Sequence, residues 1–249
     1  MDLDVAFLPK PVNTSKDRSV CVVIDVLRAS SSIVTILERG AESVYPVHAV
    51  ARARRFAAQK GFLLCGERDG LPLRGFDSGN SVAQLAKMDF RNRGVVLTTT
   101  NGTAALEKVA RAHAVLVGCA RNKTACAEAA VKQAARYDAG LEIVCAGRKG
   151  RFALDDAVCA GLLVDAITRM AEGTLKLSDS AIAAQMLYRS YPDLLSAFEL
   201  SSSGRRVMEI GHVDDLRLCS DIDAGRTVPQ AIYADHLVIR PFAPIQEGL

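Results

Sequence analysis

Asp25 directly follows the β-rich run SVCVVI, and Arg28 stands three residues later. A carboxylate and a guanidinium at one strand end suit a Mg²⁺ ligand or nucleophile beside a phosphate clamp, because Mg²⁺ takes one or two carboxylates together with substrate oxygens. The plainer alternative is a helix N-cap region with a surface arginine. A second turn, TTTNGT at residues 98–103, gathers Thr99, Thr100 and Asn101 as uncharged donors beside Gly102, where the backbone can approach an oxyanion closely. Read alone, it is equally an ordinary capped helix start.

The third turn, CAGRKGRFALDD at residues 145–156, sets Arg148, Lys149 and Arg151 against a helix start. Cations there oppose the helix dipole, and a bound anion would explain the placement. Asp155 and Asp156 in the first helical turn need no metal to account for them. The glycine-rich segment 66–81, GERDGLPLRGFDSGNS, carries Glu67, Arg68, Asp69, Asp77, Asn80 and Ser81. It reads as an irregular surface loop that orients a metal and water, or as a turn tied by its own salt bridges. Cys145 and Arg151 have the C-x5-R spacing of cysteine phosphatases, a match that is cheap among seven Cys, and no His precedes the Cys.

Three of these turns follow short β-rich runs and lead into small-residue helices, the frame of parallel α/β architecture. Strands are expected over 19–24, 94–97 and 141–145, followed by helices over 29–39, 104–112 and 154–171. Further strands are expected over 43–47, 62–65, 114–117 and 236–240, and helices over 49–60, 123–136, 178–186 and 193–198. SSSGRR near Ser203 reads as a loop, and Asp214, Asp215, Asp221 and Asp223 as a solvated polar stretch. In a parallel sheet the three turns would converge outside the carboxyl ends of the strands. The expected class is α/β, a largely parallel or mixed sheet with flanking helices, divided softly into a motif-bearing region 1–172 and a C-terminal region 173–249.

Composition narrows the function classes. Of 249 residues 49% are apolar and 24% charged, the profile of a globular chain with a sizeable core. The net charge of +3 is small, and Lys and Arg never run longer than two, so no nucleic-acid footprint is present. The Cys are odd in number without a CxxC pair, and no stretch approaches 18 apolar residues, so a cytoplasmic protein that does not enter a membrane is expected. The four His (48, 113, 212 and 236) are isolated, and P-loop, G-x-S-x-G and H-E-x-x-H signatures are missing.

IDVLRASSSIV, GERDGLPLRGFDSGNS, TTTNGT and CAGRKGRFALDDAVCAG, in that order over about residues 20–165, resemble the blocks of the 2-phosphosulfolactate phosphatases. Val82 stands where that pattern has proline. The resemblance implies an α/β fold of its own kind and a Mg²⁺-dependent phosphatase that releases 3-sulfolactate and phosphate in coenzyme M biosynthesis, or acts on a related phosphorylated 2-hydroxy acid. It also implies a site in a cleft. The reading of the turns fits this, and with carboxylates recurring just after strands and in the glycine loop, Asp25, Arg28 and Asp69 are expected to be catalytic. Arg28, Asn80, Thr99, Thr100, Asn101, Gly102, Arg148 and Lys149 would bind the small anionic substrate, and Asp25, Glu67, Asp69 and Asp156 would hold Mg²⁺. The competing class is a non-catalytic sensor or binding protein for a phosphorylated metabolite. A homo-oligomer is left open.

Overall fold

The computed structural model describes residues 1–11, 19–171 and 175–243. In chain order the first half forms β1 (Asp2–Ala6), β2 (Ser19–Ile24), α1 (Ala29–Glu38), β3 (Ser43–Pro46), α2 (Val50–Lys60), β4 (Leu63–Arg68), β5 (Leu71–Pro72), α3 (Val82–Leu85), β6 (Gly94–Thr98) and α4 (Gly102–Val109). The second half forms β7 (Ala114–Val117), α5 (Lys123–Tyr137), β8 (Gly140–Cys145), α6 (Leu154–Met170), β9 (Lys176–Leu177), α7 (Asp179–Arg189), α8 (Leu194–Leu200), α9 (Ser202–Glu209), α10 (Val213–Ser220), β10 (Pro229–Tyr233) and β11 (Leu237–Pro241). One mixed 11-stranded sheet runs in the order β5-β4-β6-β3-β11-β10-β7-β2-β8-β1-β9.

β2 shows why the sheet lies inside. Its near-continuous apolar run has no polar face, as expected of a parallel strand covered on both sides. Val20, Val22 and Ile24 pack with Val158, Leu162 and Ile143 on one face, while Cys21 and Val23 pack with Ile33, Ile36 and Leu106 on the other. α6 is buried almost all round, so it is a core helix rather than a surface one.

The sheet holds two parallel blocks that run in opposite senses. β7, β2, β8, β1 and β9 are mutually parallel, as are β4, β6 and β3, and the β10–β11 hairpin joins the blocks through antiparallel pairings. Strands in a sheet rotate by roughly 20–25° per step, so the five steps from β6 to β2 accumulate roughly 100–125°. Despite the reversal, the turns that follow β2, β8 and β6 and the end of β4 meet at one place.

Three expectations need correction. SSSGRR is helical, because the Ser201 side chain caps α9 by accepting the Gly204 N–H at 2.8 Å. Asp214 and Asp215 open helix α10, where Asp215 is fully buried, whereas Asp214, Asp221 and Asp223 are exposed as expected. Segment 66–81 is only partly a surface loop: it starts inside β4, pairs back through β5, and ends with Asn80 and Ser81 buried. Unforeseen strands are β1, β5, β9 and β10. The boundary at 172/173 falls outside the described residues. The C-terminal region contributes β10 and β11 to the middle of the sheet and Ala181, Phe198 and Leu216 to the same core as β2. No helix among the described residues is long and apolar enough to cross a membrane.

Candidate active site

A small cavity of about 60 Å³ opens where the carboxyl ends converge. The expected residues Asp25, Arg28, Glu67, Asp69, Asn80, Thr99, Thr100, Asn101, Arg148 and Lys149 all line it. Leu27, Gly70, Ser203, Arg206, Val207 and Ile210 complete the wall. Gly102 and Asp156 lie just outside the lining.

Asp25 leaves β2 and is almost fully buried, with its Oδ1 accepting the Ala29 N–H at 3.4 Å. Gly102 opens α4 directly against it: a Cβ there would sit 2.6 Å from the Ala29 Cβ and 2.8 Å from Asp25 Oδ2. Glycine therefore lets the helix start, with its free N–H groups, reach the carboxylate. Burial pushes the Asp25 carboxyl up to about 7, and the charges of Glu67 and Asp155 add to the rise.

Glu67 ends β4 and is saturated. Its Oε1 accepts Thr100 N at 2.7 Å and Thr100 Oγ1 at 2.9 Å, and its Oε2 accepts Gly70 N at 2.6 Å. This carboxylate shapes both the TTTNGT turn and the β4–β5 turn. Arg68 braces the same region by donating to Thr98 Oγ1 at 2.9 Å and to the His48 carbonyl.

The adjacent Asp155 and Asp156 have different surroundings. Asp156 accepts Val26 N at 2.9 Å and Gly147 N at 3.0 Å, so its two oxygens fasten the β2 and β8 turns together. Asp155 is equally buried, yet its Oδ1 has no hydrogen-bond partner. Burial pushes Asp155 up to about 6, opposed by its own N–H, by the Ser203 and Ser201 side chains and by Arg148. It also pushes Asp156 well above the ordinary range, with Asp155 and Asp25 adding to the rise.

Across the mouth, Lys149 Nζ meets Asp69 Oδ1 at 2.6 Å in an exposed pair, and Lys149 N donates to Asn101 Oδ1 at 3.0 Å. The Lys149 ammonium holds Asp69 below the usual carboxylate range. Arg151 is exposed; its backbone pairs with Arg148 and it does not line the cavity. Cys145 is buried and its thiol is pushed well above its ordinary value by burial, so the C-x5-R spacing yields no thiolate.

A sequence profile described as 2-phosphosulpholactate phosphatase matches residues 6–233. The chain belongs to this family. A relative from Pseudothermotoga lettingae is 36% identical over 229 residues, spanning 91% of this chain and 94% of its own length. One from Caldanaerobacter subterraneus subsp. tengcongensis is 34% identical, spanning 86% of this chain and 88% of its own length. One from Thermotoga maritima is 35% identical, spanning 85% and 88% respectively. Each of the three carries the name probable 2-phosphosulfolactate phosphatase. At the Val82 departure from the family pattern, Ser81 caps α3 and Val82 is its first helical residue, a position where proline and valine are both accommodated.

Among the described residues no three Asp, Glu, His or Cys side chains form a ready metal cage. A site that uses one or two carboxylates and completes its shell with water and substrate oxygens does not need one. Asp25 and Asp155 suit that arrangement: both are buried, raised by desolvation, and Asp155 offers an orphaned oxygen. Glu67, Asp69 and Asp156 already have hydrogen-bond or ion-pair partners.

Of the lining residues missed in the sequence, Leu27 and Gly70 lie within the motif turns and the others come from the C-terminal region. Ser203, Arg206 or Val207, and Ile210 recur at helical spacing on the face of α9 that lines the cavity. The signal was legible only if Ser201 was read as an N-cap.

Proposed function

We propose that this chain is a Mg²⁺-dependent phosphatase that hydrolyses 2-phosphosulfolactate, or a closely related phosphorylated 2-hydroxy acid. With the former, the products are 3-sulfolactate and phosphate, a step of the coenzyme M type. The observation that supports this reading is Asp25, a buried carboxylate short of partners in a cavity that Arg28, Arg148, Lys149 and Arg206 also line, with the buried Asp155 near enough for its charge to raise Asp25. A protein that only holds an anion gains nothing from uncompensated carboxylates beside it. A divalent cation gives them a purpose.

In this reading Asp25 and Asp155 hold Mg²⁺, in place of the wider set Asp25, Glu67, Asp69 and Asp156. The bound ion would gather phosphoryl charge as a Lewis acid. Arg28 and the donors of Thr99, Thr100 and Asn101 receive phosphoryl oxygens and orient the group for in-line attack. Arg148, Lys149 and Arg206 at the rim take the second anionic group of the substrate. Leu27, Val207 and Ile210 exclude water from the carbon chain. Water adds to phosphorus, the P–O bond to C2 breaks, and the proton given up by water ends on the 2-hydroxyl of the product.

A phosphate-release screen with 2-phosphosulfolactate, 2-phospholactate and phosphoglycolate, each with and without Mg²⁺, tests this. Release that requires Mg²⁺ is expected. Tight binding of a phospho-acid without Mg²⁺ and without turnover would instead establish the binding-protein alternative.

A further inference from the structure

Arg28 is 4% exposed and lines the cavity, yet its nearest carboxylate is not one of the cavity aspartates. Its Nη1 donates to Asp215 Oδ2 at 2.8 Å and its Nη2 to the Gly70 carbonyl at 2.7 Å. Asp215 comes from α10, outside the cavity lining, and is sealed from solvent. Its other oxygen accepts Ser81 Oγ at 2.8 Å and Ala83 N at 2.9 Å. His212 Nδ1 lies 4.0 Å from Oδ2. One carboxylate thus joins the β2 turn, the start of α3 and the C-terminal helices.

A buried ion pair is weak evidence for stability, because an apolar pair of similar volume often serves as well. Its value here is geometric. Among the described residues the Arg28 guanidinium donates only those two hydrogen bonds, so Asp215 and the Gly70 carbonyl fix its plane while its remaining donors stay open to a ligand. A guanidinium binds phosphate best as a fixed fork, and one degree of rotational freedom lost in advance need not be lost on binding.

We propose that Asp215, anchored by Ser81, is a positioning residue that orients Arg28 for a tetrahedral oxyanion. This rests on the reading of the cavity as a phosphoryl site. The test compares wild type with Asp215→Asn, which keeps the acceptor oxygen and the volume, and with Ser81→Ala, which removes one anchor. Two readouts are taken: KM and kcat for phosphate release, and calorimetric Kd for inorganic phosphate. D215N is expected to raise KM and Kd about tenfold, the scale of a charge-assisted hydrogen bond, and to change kcat less. S81A is expected to move them about two- to threefold in the same direction, and it carries the test if D215N does not fold. In an Arg28→Lys background, where the fork is gone, D215N should add little, because coupled residues are non-additive. Unchanged KM and Kd in folded D215N, or in S81A where only that variant folds, would overturn the positioning role. So would full additivity with R28K. A wild type that binds phosphate without turnover would refute the phosphatase reading while leaving the Kd comparison decisive, and a wild type that binds no phosphate refutes both.

Discussion

The two parallel blocks contribute unlike things to one cavity. The β2–β8 block supplies to the lining the buried carboxylate Asp25 and the cations Arg28, Arg148 and Lys149, and it holds Asp155, buried with an unpartnered oxygen, near Asp25. The β4–β6 block supplies Glu67, whose oxygens are already engaged, and neutral donors at Thr99, Thr100 and Asn101. An uncompensated buried charge is costly, so it marks where a ligand must complete the site, whereas a saturated one marks where the backbone is being held. The first block is therefore assigned to chemistry and the second to shape.

The largest expected effect is in the first block. Asp25→Asn should lower kcat about 10³-fold with the fold intact by circular dichroism, a loss on the scale of removing a preorganised electrostatic group. Asp155→Asn should cost about 10²-fold and weaken the apparent Mg²⁺ affinity measured by titration of activity. Activity close to wild type in both variants would dissolve the division.

In the second block, Glu67→Gln turns an amide N–H₂ toward N–H donors. A loss of about 1–3 kcal/mol is expected, read as a melting temperature about 5 °C lower, with kcat changed by less than about tenfold. A kcat loss as deep as that of D25N would place chemistry in this block as well.

A smaller effect separates the blocks by pH. Asp25 and Asp155 are raised from an ordinary value of 3.8 to about 7 and about 6, so the folded state binds their protons more tightly than the unfolded chain. The stability they contribute is full below about pH 4 and is lost as pH rises through 6 and 7. Mg²⁺ binds the ionised form, so its addition should raise the melting temperature more at about pH 8 than at about pH 5.5. Equal gains at both would refute the ligand assignment. The smallest change is expected from Lys149→Ala: the Lys149–Asp69 pair is exposed, and KM should rise about two- to threefold.

Much of the first block was legible in the sequence. SVCVVI and AVLV form strands at the expected residues, because apolar β-branched runs bounded by polar turns have few other uses. Asp25, the TTTNGT turn and the GRKG turn were legible for the same reason: each directly follows such a run. What escaped lies in the C-terminal region, although its helices over 178–186 and 193–198 and its strand over 236–240 form as expected. Ser201 capping α9, and Asp215 in α10 sealed against Arg28, depend on partners far along the chain, and a polar stretch looks solvated until its partner is known.

The sequence by itself determined that three strand-to-helix turns carry an aspartate, a run of hydroxyls with an amide and a glycine, and a basic cluster, since those are local properties of a run and its boundary. Only the tertiary structure decided that strands from two opposed blocks bring these turns together, because strand order and direction are set by pairings between residues far apart in the chain. It also gave the neighbours Asp155 and Asp156 different surroundings. Neighbouring residues on a helix point about 100° apart, and the docking of α6 against β2 and β8 turned Asp156 to the backbone of Val26 and Gly147 while leaving an oxygen of Asp155 unpartnered.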